Sequence, residues 1–351
     1  MRRFLLSFVA AILFMPSVTS AQSTKKQGMV MGIAFYNLEN LFDTINNNGK
    51  YDLEFSPQGS RQWDGRKYWS KINKLAYAIS RLNTKTTPLG PAIIGISEIE
   101  NESVVKDLVD AEPLKKYGLK YVHHDSPDRR GVDVGLLYNP KFYKVDNVTN
   151  HTLSIPDKPY FRTRDQMCVV GRLMGQPVAI IVNHWPSRIG GEQQSSPLRE
   201  AAAALSKHIA DSLWKVNPDM GVIIMGDLND DPQNKSCAKV LEASKKREGI
   251  GDHEFFNPFW KVLDDGIGTL AYKSQWNLFD QIIISGNLAN GPSDKFHYLR
   301  PIVHNHEFLR DTEGNRQGYP RRTFSAGMWL DGYSDHFPTQ VLFVKEFDIQ
   351  N

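Results

Sequence analysis

Short apolar runs, each closing on a polar residue, recur along this chain with helix-period segments between them. The first, Met29-Val30-Met31-Gly32-Ile33-Ala34-Phe35-Tyr36, reads as a buried strand that ends at Asn37. Residues 43–64, rich in Asn, Gly, Ser and Asp, read as a loop. Trp69, Ile72, Leu75, Ala76, Ile79 and Leu82 recur at helical spacing and predict an amphipathic helix laid on a sheet. Ala92 to Ser97 is the next buried strand, and it runs directly into Glu98. There follow a predicted helix from Glu102 to Val109, a strand from Val132 to Tyr138, and two strands within Met167 to Val182 that turn at Gly175-Gln176-Pro177. A helix from Leu198 to Leu213 comes next, then strands at Val222–Met225, Phe279–Ser285 and Thr339–Val344. This alternation, without an internal repeat or a linker, predicts one α/β domain over residues 29–348 after a polar spacer at 22–28.

Composition supports a large buried core: of 351 residues, 40% are hydrophobic and 23% charged, which excludes a disordered chain and a membrane bundle. Residues 1–21 begin Met1-Arg2-Arg3, continue through an apolar stretch from Phe4 to Met15 and close on small residues up to Ala21. That is the layout of a secretory signal peptide, so the expected location is periplasmic or extracellular after cleavage. The rival reading, an uncleaved anchor, needs about 20 apolar residues, and this stretch is shorter. No stable membrane insertion is expected.

Removing Arg2 and Arg3 from the 42 basic residues leaves 40 against 39 acidic, a net of +1 rather than +3. A polybasic nucleic-acid binder is thereby excluded, although a local basic rim suffices to hold a phosphodiester. Two cysteines, Cys168 and Cys237, are too few for a disulfide scaffold; they read as buried free thiols, with a single disulfide as the minority reading.

Chemistry gathers at the ends of the strands. Glu98 follows Ile93-Ile94-Gly95-Ile96-Ser97, so its carboxylate must meet either solvent or a cation. Gly226-Asp227-Leu228-Asn229 ends another apolar run; Asn183-His184, Phe279-Asp280 and Ser334-Asp335-His336 end or border others. Taken singly, each is an ordinary polar strand end or Asx turn. Together they supply hard oxygen ligands, imidazoles for proton transfer and an Asp able to orient one imidazole.

The order and wording of these motifs, from Phe35-Tyr36-Asn37 to Ser334-Asp335-His336, resemble the endonuclease/exonuclease/phosphatase superfamily. Its members include DNase I-like nucleases, abasic-site endonucleases, sphingomyelinases and inositol-polyphosphate phosphatases. The resemblance implies a four-layer sandwich of two mixed β-sheets flanked by helices. It also implies a metal site of Glu98 with Asn37 and Asp335, and a catalytic set of His184, Asp227, Asn229, Asp280 and His336. The expected cofactor is Mg²⁺, with Mn²⁺ or Ca²⁺ as substitutes. Asp227 positions or deprotonates the attacking water, Asn229 holds the phosphate, and Asp280 orients His336. Glu39 is a further acidic candidate, and Asp133 is the expected acidic partner of His184. Arg130 and Arg164 are candidate phosphate contacts, with solvated surface arginine as the equal alternative; Arg188, Arg321 and Arg322 are weaker rim candidates. The His123-His124 tandem reads as incidental rather than as a second metal site. Selectivity is expected in residues 43–64 and 296–332, which hold Trp63, His304, His306 and Trp329.

The implied activity is an exported metal-dependent phosphodiesterase, first of all a nonspecific endonuclease on DNA or RNA, with no obligate protein partner. A phosphoesterase for lipid headgroups or sugar and inositol phosphates is the alternative. A binding module with a dead site predicts gaps in the motif set, and none of the positions is missing.

Overall fold

The computed structural model describes residues 26–46 and 51–348; the leader and most of the spacer lie outside the described residues. Two six-stranded sheets carry the fold. In the first, β13 (His297–Val303), β16 (Thr339–Asp348), β1 (Lys26–Leu41), β2 (Ile93–Ile99), β4 (Asp133–Tyr138) and β3 (Lys120–His123) lie side by side in that order. In the second the order is β5 (Tyr143–His151), β6 (Gln166–Leu173), β7 (Gln176–His184), β8 (Gly221–Asp227), β12 (Asp280–Ser285) and β9 (Phe255–Phe256). Both are mixed sheets: β1 runs parallel to β2 and β7 to β8, and the remaining neighbours are antiparallel. Two short hairpins, β10 (Leu270–Tyr272) with β11 (Gln275–Asn277) and β14 (Phe324–Ser325) with β15 (Met328–Trp329), complete the strands.

Strand side chains alternate between faces, so each central strand feeds two cores. Val178, Ile180 and Val182 of β7 point between the sheets, where they meet Ile223, Ile282, Ile33, Phe35 and Val341. Ala179 and Ile181 point the other way, onto Ala202, Ala203 and Ile209 of helix α4 (Glu192–Val216). On the outer face of the first sheet, Ala34, Ile94 and Ile96 pack against Ile72, Leu75 and Ile79 of α1 (Gly65–Ser80) and Leu108 of α2 (Glu102–Asp110). Helix, sheet, sheet, helix is the four-layer order.

Several boundaries differ from the sequence expectation. β1 continues past Asn37 to Leu41, with Glu39 and Asn40 at positive φ and its register against β2 shifted. Helix α4 begins at Glu192 rather than Leu198 and carries Pro197 inside it. Trp69 is 48% exposed because Tyr68 takes the buried position on α1. Trp63 lies in the core, its indole N–H bonded to the Phe42 carbonyl 3.0 Å away, and so is no part of a selectivity surface. Both cysteines are buried and unpaired. Among the described residues, no helix is long and apolar enough to cross a membrane.

Candidate active site

The ends of the two parallel strand pairs face one another across the sandwich, and the polar residues that close them meet there. Asp227, last in β8, lies opposite His184 of β7 on one side and Asp280 of β12 on the other. Gly226 makes this possible. A Cβ there would lie 2.1 Å from the Asn183 carbonyl oxygen, so only glycine lets β8 pass this close to β7.

The two oxygens of Asp227 have separate work. Oδ1 accepts from the Asn229 amide at 3.0 Å, the Asx turn expected of a Gly-Asp pair. Oδ2 accepts from Asn37 Nδ2 at 3.0 Å, and faces His184 Nε2 at 3.5 Å and His336 Nε2 at 3.9 Å. Burial lifts the Asp227 carboxyl to about 6, the His336 charge pulling it down and Asp280 pushing it up. Asn229, at φ +50°, is held by Nδ2 donating to the Trp185 carbonyl at 3.0 Å.

His336 and His184 are set to opposite charge states. Burial works against the charged form of His336, but Asp280, Asp227 and Asp335 outweigh it and hold the imidazole well above its usual pKa. The Nδ1 of His336 lies 2.7 Å from Asp280 Oδ2, and that oxygen also accepts from Thr269 Oγ1 at 2.5 Å. Asp280 is fully buried; its Oδ2 takes both of these bonds and orients the imidazole, while its Oδ1 has no hydrogen-bond partner. His184 is pushed well below its usual value by burial first and then by Arg164, Arg130 and His336, leaving it neutral. Its Nδ1 is buried without a hydrogen-bond partner. The expected partner, Asp133, is elsewhere: it lies 3.0 Å from His123 Nε2 and accepts from Ser126. Strand register decides this, since Asp133 opens β4 on the outer, helix-covered side of the first sheet, two strands away from β1.

Glu98 sits where β2 breaks register with both neighbours, at φ +61°, a left-handed conformation that costs a non-glycine residue roughly 1–3 kcal/mol. The twist turns the carboxylate toward the cleft, where Asn40 N donates to Oε2 at 2.9 Å and Arg130 Nη2 lies 3.1 Å from Oε1. Burial would raise its pKa, yet Arg130, and after it His336, bring it below the usual value. The carboxylate is therefore charged and matched by a cationic group, the demand a metal ion also answers. Asn37 lies beside it across the β1–β2 ladder, and the Ser334 hydroxyl donates to the Asn37 carbonyl at 2.7 Å, tying the Ser-Asp-His loop to β1. Asp335 is 30% exposed at its side chain and pairs with Arg322 at 2.9 Å. Behind it, Arg322 also reaches Glu39 at 3.4 Å, and Glu39 Oε2 accepts from Thr323 N at 2.6 Å. Glu39 thus supports the site from the rear. Glu98, Asp335 and the Asn37 carboxamide offer only hard oxygen donors, which fit a Mg²⁺-class cation and not a thiolate-seeking metal.

The arginines divide. Arg130 reaches into the cleft beside Glu98. Arg164 is buried, with its guanidinium bound to the His184 and Trp185 carbonyls and to Asp128, so it fixes the β7 end more than it offers itself to a ligand. Arg188, expected on the rim, is tied to the Asn229 carbonyl at 2.8 Å, to Asp230, Asp231 and Asn234, and lies over the Phe279 ring. It braces Asn229. Asp128 and Thr269 are the participants the sequence did not point to, because each acts through a contact that the chain pattern does not record, and Arg188 serves as a brace where a rim position was expected. Glu98, Arg130, His184, Asp227, Asn229 and His336 line a cleft of about 500 Å³ whose other walls include the basic Arg129 and Arg162 and the apolar Phe161, Ile189 and Leu198.

One polar cleft thus gathers the Asp227 carboxylate, two imidazoles, one of them oriented by a buried Asp, and the Glu98 carboxylate. The Endonuclease/Exonuclease/phosphatase family model matches residues 32–345, and the chain belongs to this family, whose members are generally metal-dependent. Among solved structures it is similar to an endonuclease/exonuclease/phosphatase family protein from Bacteroides thetaiotaomicron, at 19% identity and TM-score 0.55 over 92% of this chain and 97% of that one. It is also similar to a mannosyl-6-phosphatase from the same organism (18%, TM-score 0.53, 89% and 98% covered) and to TDP2 from Caenorhabditis elegans (15%, 0.53, 90% and 75%). At these identities the likeness establishes the fold. Comparison with curated proteins finds no match.

Proposed function

We propose that the protein is an exported, Mg²⁺-dependent phosphodiesterase that hydrolyses nucleic acid by in-line attack of water. The observation that carries this reading is the pair of imidazoles gathered on one carboxylate oxygen, His184 Nε2 at 3.5 Å and His336 Nε2 at 3.9 Å from Asp227 Oδ2. Diester hydrolysis needs a group to take a proton from water and another to donate one to the departing alkoxide. The carboxylate of Asp227 is placed for the first task and the charged His336 for the second, with Asp280 keeping its Nδ1 protonated. Asn229 and His184 hold the phosphate oxygens between them. A divalent cation held by Glu98, with Asn37 and Asp335 beside it, would supply charge over the developing phosphorane oxygens. Arg130 contributes a further positive group at the same edge.

The bounded cleft favours a second reading, a phosphoesterase for small lipid-headgroup or sugar phosphates, since Phe161, Ile189 and Leu198 wall the approach. The two are separated by incubating the leaderless protein, with Mg²⁺ and with chelator, on duplex DNA, single strands, RNA and a panel of phosphate esters. Chelator-sensitive cleavage of nucleic acid supports the nuclease. Intact nucleic acid with a hydrolysed small ester replaces it by the second reading. Absence of turnover on every substrate contradicts both.

A further inference from the structure

Outside the cleft, the two ends of the loop between β3 and β4 bring three metal-ligating side chains together. His123 Nε2 lies 3.0 Å from Asp133 Oδ2 and 3.9 Å from Asp125 Oδ1. His123 and Asp133 are almost wholly buried, their side chains 5% and 4% exposed. The other Asp133 oxygen, Oδ1, accepts from Ser126 N at 2.8 Å and from the Ser126 hydroxyl at 2.5 Å, which leaves Oδ2 as the outward donor in a fixed direction. Outer-shell bonds of that kind are how proteins aim a carboxylate at a metal. Among the described residues, neither Asp125 nor Asp133 forms an ion pair with a lysine or arginine. A further carboxylate, Glu100, stands in electrostatic reach of Asp133; it is 94% buried by its 6% exposure, and its Oε1 has no hydrogen-bond donor. The region is rich in oxygen lone pairs and poor in cations.

We propose that His123, Asp125 and Asp133 form a second divalent-cation site, distinct from the catalytic cleft and of the one-imidazole, two-carboxylate type that takes Zn²⁺. The cation is held between His123 Nε2 and Asp133 Oδ2, and water completes its coordination. Its position gives it a task. The clamped loop carries Asp128, whose carboxylate holds Arg164 and the Arg130 amide, and Arg130, which meets Glu98. A cation joining residues 123 and 125 to residue 133 fixes the base of the loop that presents these arginines.

Zinc uptake by the whole chain, followed by competition with a chromophoric chelator and by elemental analysis, tests this without reference to activity. Wild type is expected to hold one more zinc than His123→Ala, and Asp125→Asn to weaken that site about 10–100-fold. Because the Asp125 side chain is 84% exposed, this variant is expected to match wild-type Tm in chelator, while Zn²⁺ raises Tm in wild type only. Identical zinc stoichiometry and affinity in wild type and Asp125→Asn overturns the site.

Discussion

Glu100 is two residues past Glu98, just beyond the end of the same strand, and its surroundings set a pH dependence that does not involve the cleft. Burial raises its pKa to about 8; the hydrogen bond from the Asp43 amide opposes the rise, and the charges of Asp43, Asp52 and Asp133 add to it. In the unfolded chain the same group titrates near 4.5. Between those values the folded state holds more protons than the unfolded one, so stability falls as pH rises across the window. Glu100→Gln keeps an acceptor for the Asp43 amide and cannot ionise. Its Tm, measured in chelator at pH 5 and pH 8, is expected to fall less across the interval than that of wild type; parallel falls would show that Glu100 titrates normally. The residues that carry the cleft were the most legible part of the chain. Asp227, Asn229, His184, Asp280 and His336 each close or border an apolar run, and a strand end is a local feature. Their partners were hidden for the opposite reason: Thr269 and Asp128 act through contacts that periodicity does not record, Arg188 braces Asn229 where a rim position was expected, and the assignment of Asp133 to His184 failed on register.

At the scale of elements, two contacts hold β8 and α4 in the positions the site requires. Gly226→Ala places a methyl against the Asn183 backbone, which cannot yield as a side chain could. An overpacking cost of about 1–3 kcal/mol and loss of the Asp227 alignment are expected, read by urea unfolding and by kcat. Wild-type stability with wild-type kcat would show that the β7–β8 spacing is slack. Arg199, fully buried on α4, pairs with the equally buried Asp230 at 2.6 Å and so pins the helix to the loop that follows Asp227. Arg199→Ala leaves that carboxylate with Arg188 and Ser236 as its remaining partners and is expected to lower stability by about 1–3 kcal/mol, with Asp230→Asn recovering part of the loss in the double variant. An unchanged urea midpoint would mean the pair is solvated. The strong amphipathic elements, α1, α2 and the body of α4, were readable from their spacing. The edge strands β3 and β5 were not, because with one neighbour each they bury little and show mixed rather than apolar patterning.

Across the whole molecule, the groups proposed to act in catalysis come from strands of both sheets, so the cleft exists only when the two halves of the sandwich are packed together. Asn37 of the first sheet bonds Asp227 of the second, and Asp280 of the second orients His336 beside the first. That is why the motifs span almost the full length of the chain. The central claim is that this composite cleft hydrolyses phosphate esters with a hard divalent cation held at Glu98. It is tested most directly by turnover of bis(p-nitrophenyl) phosphate in Mg²⁺ and in chelator, by wild type, Glu98→Ala and His336→Ala, with Tm recorded for each. The account predicts chelator-sensitive turnover in wild type, a drop of about 10²–10⁴-fold in either variant, and folded proteins throughout. Turnover that survives both substitutions, or that ignores the chelator, would contradict it.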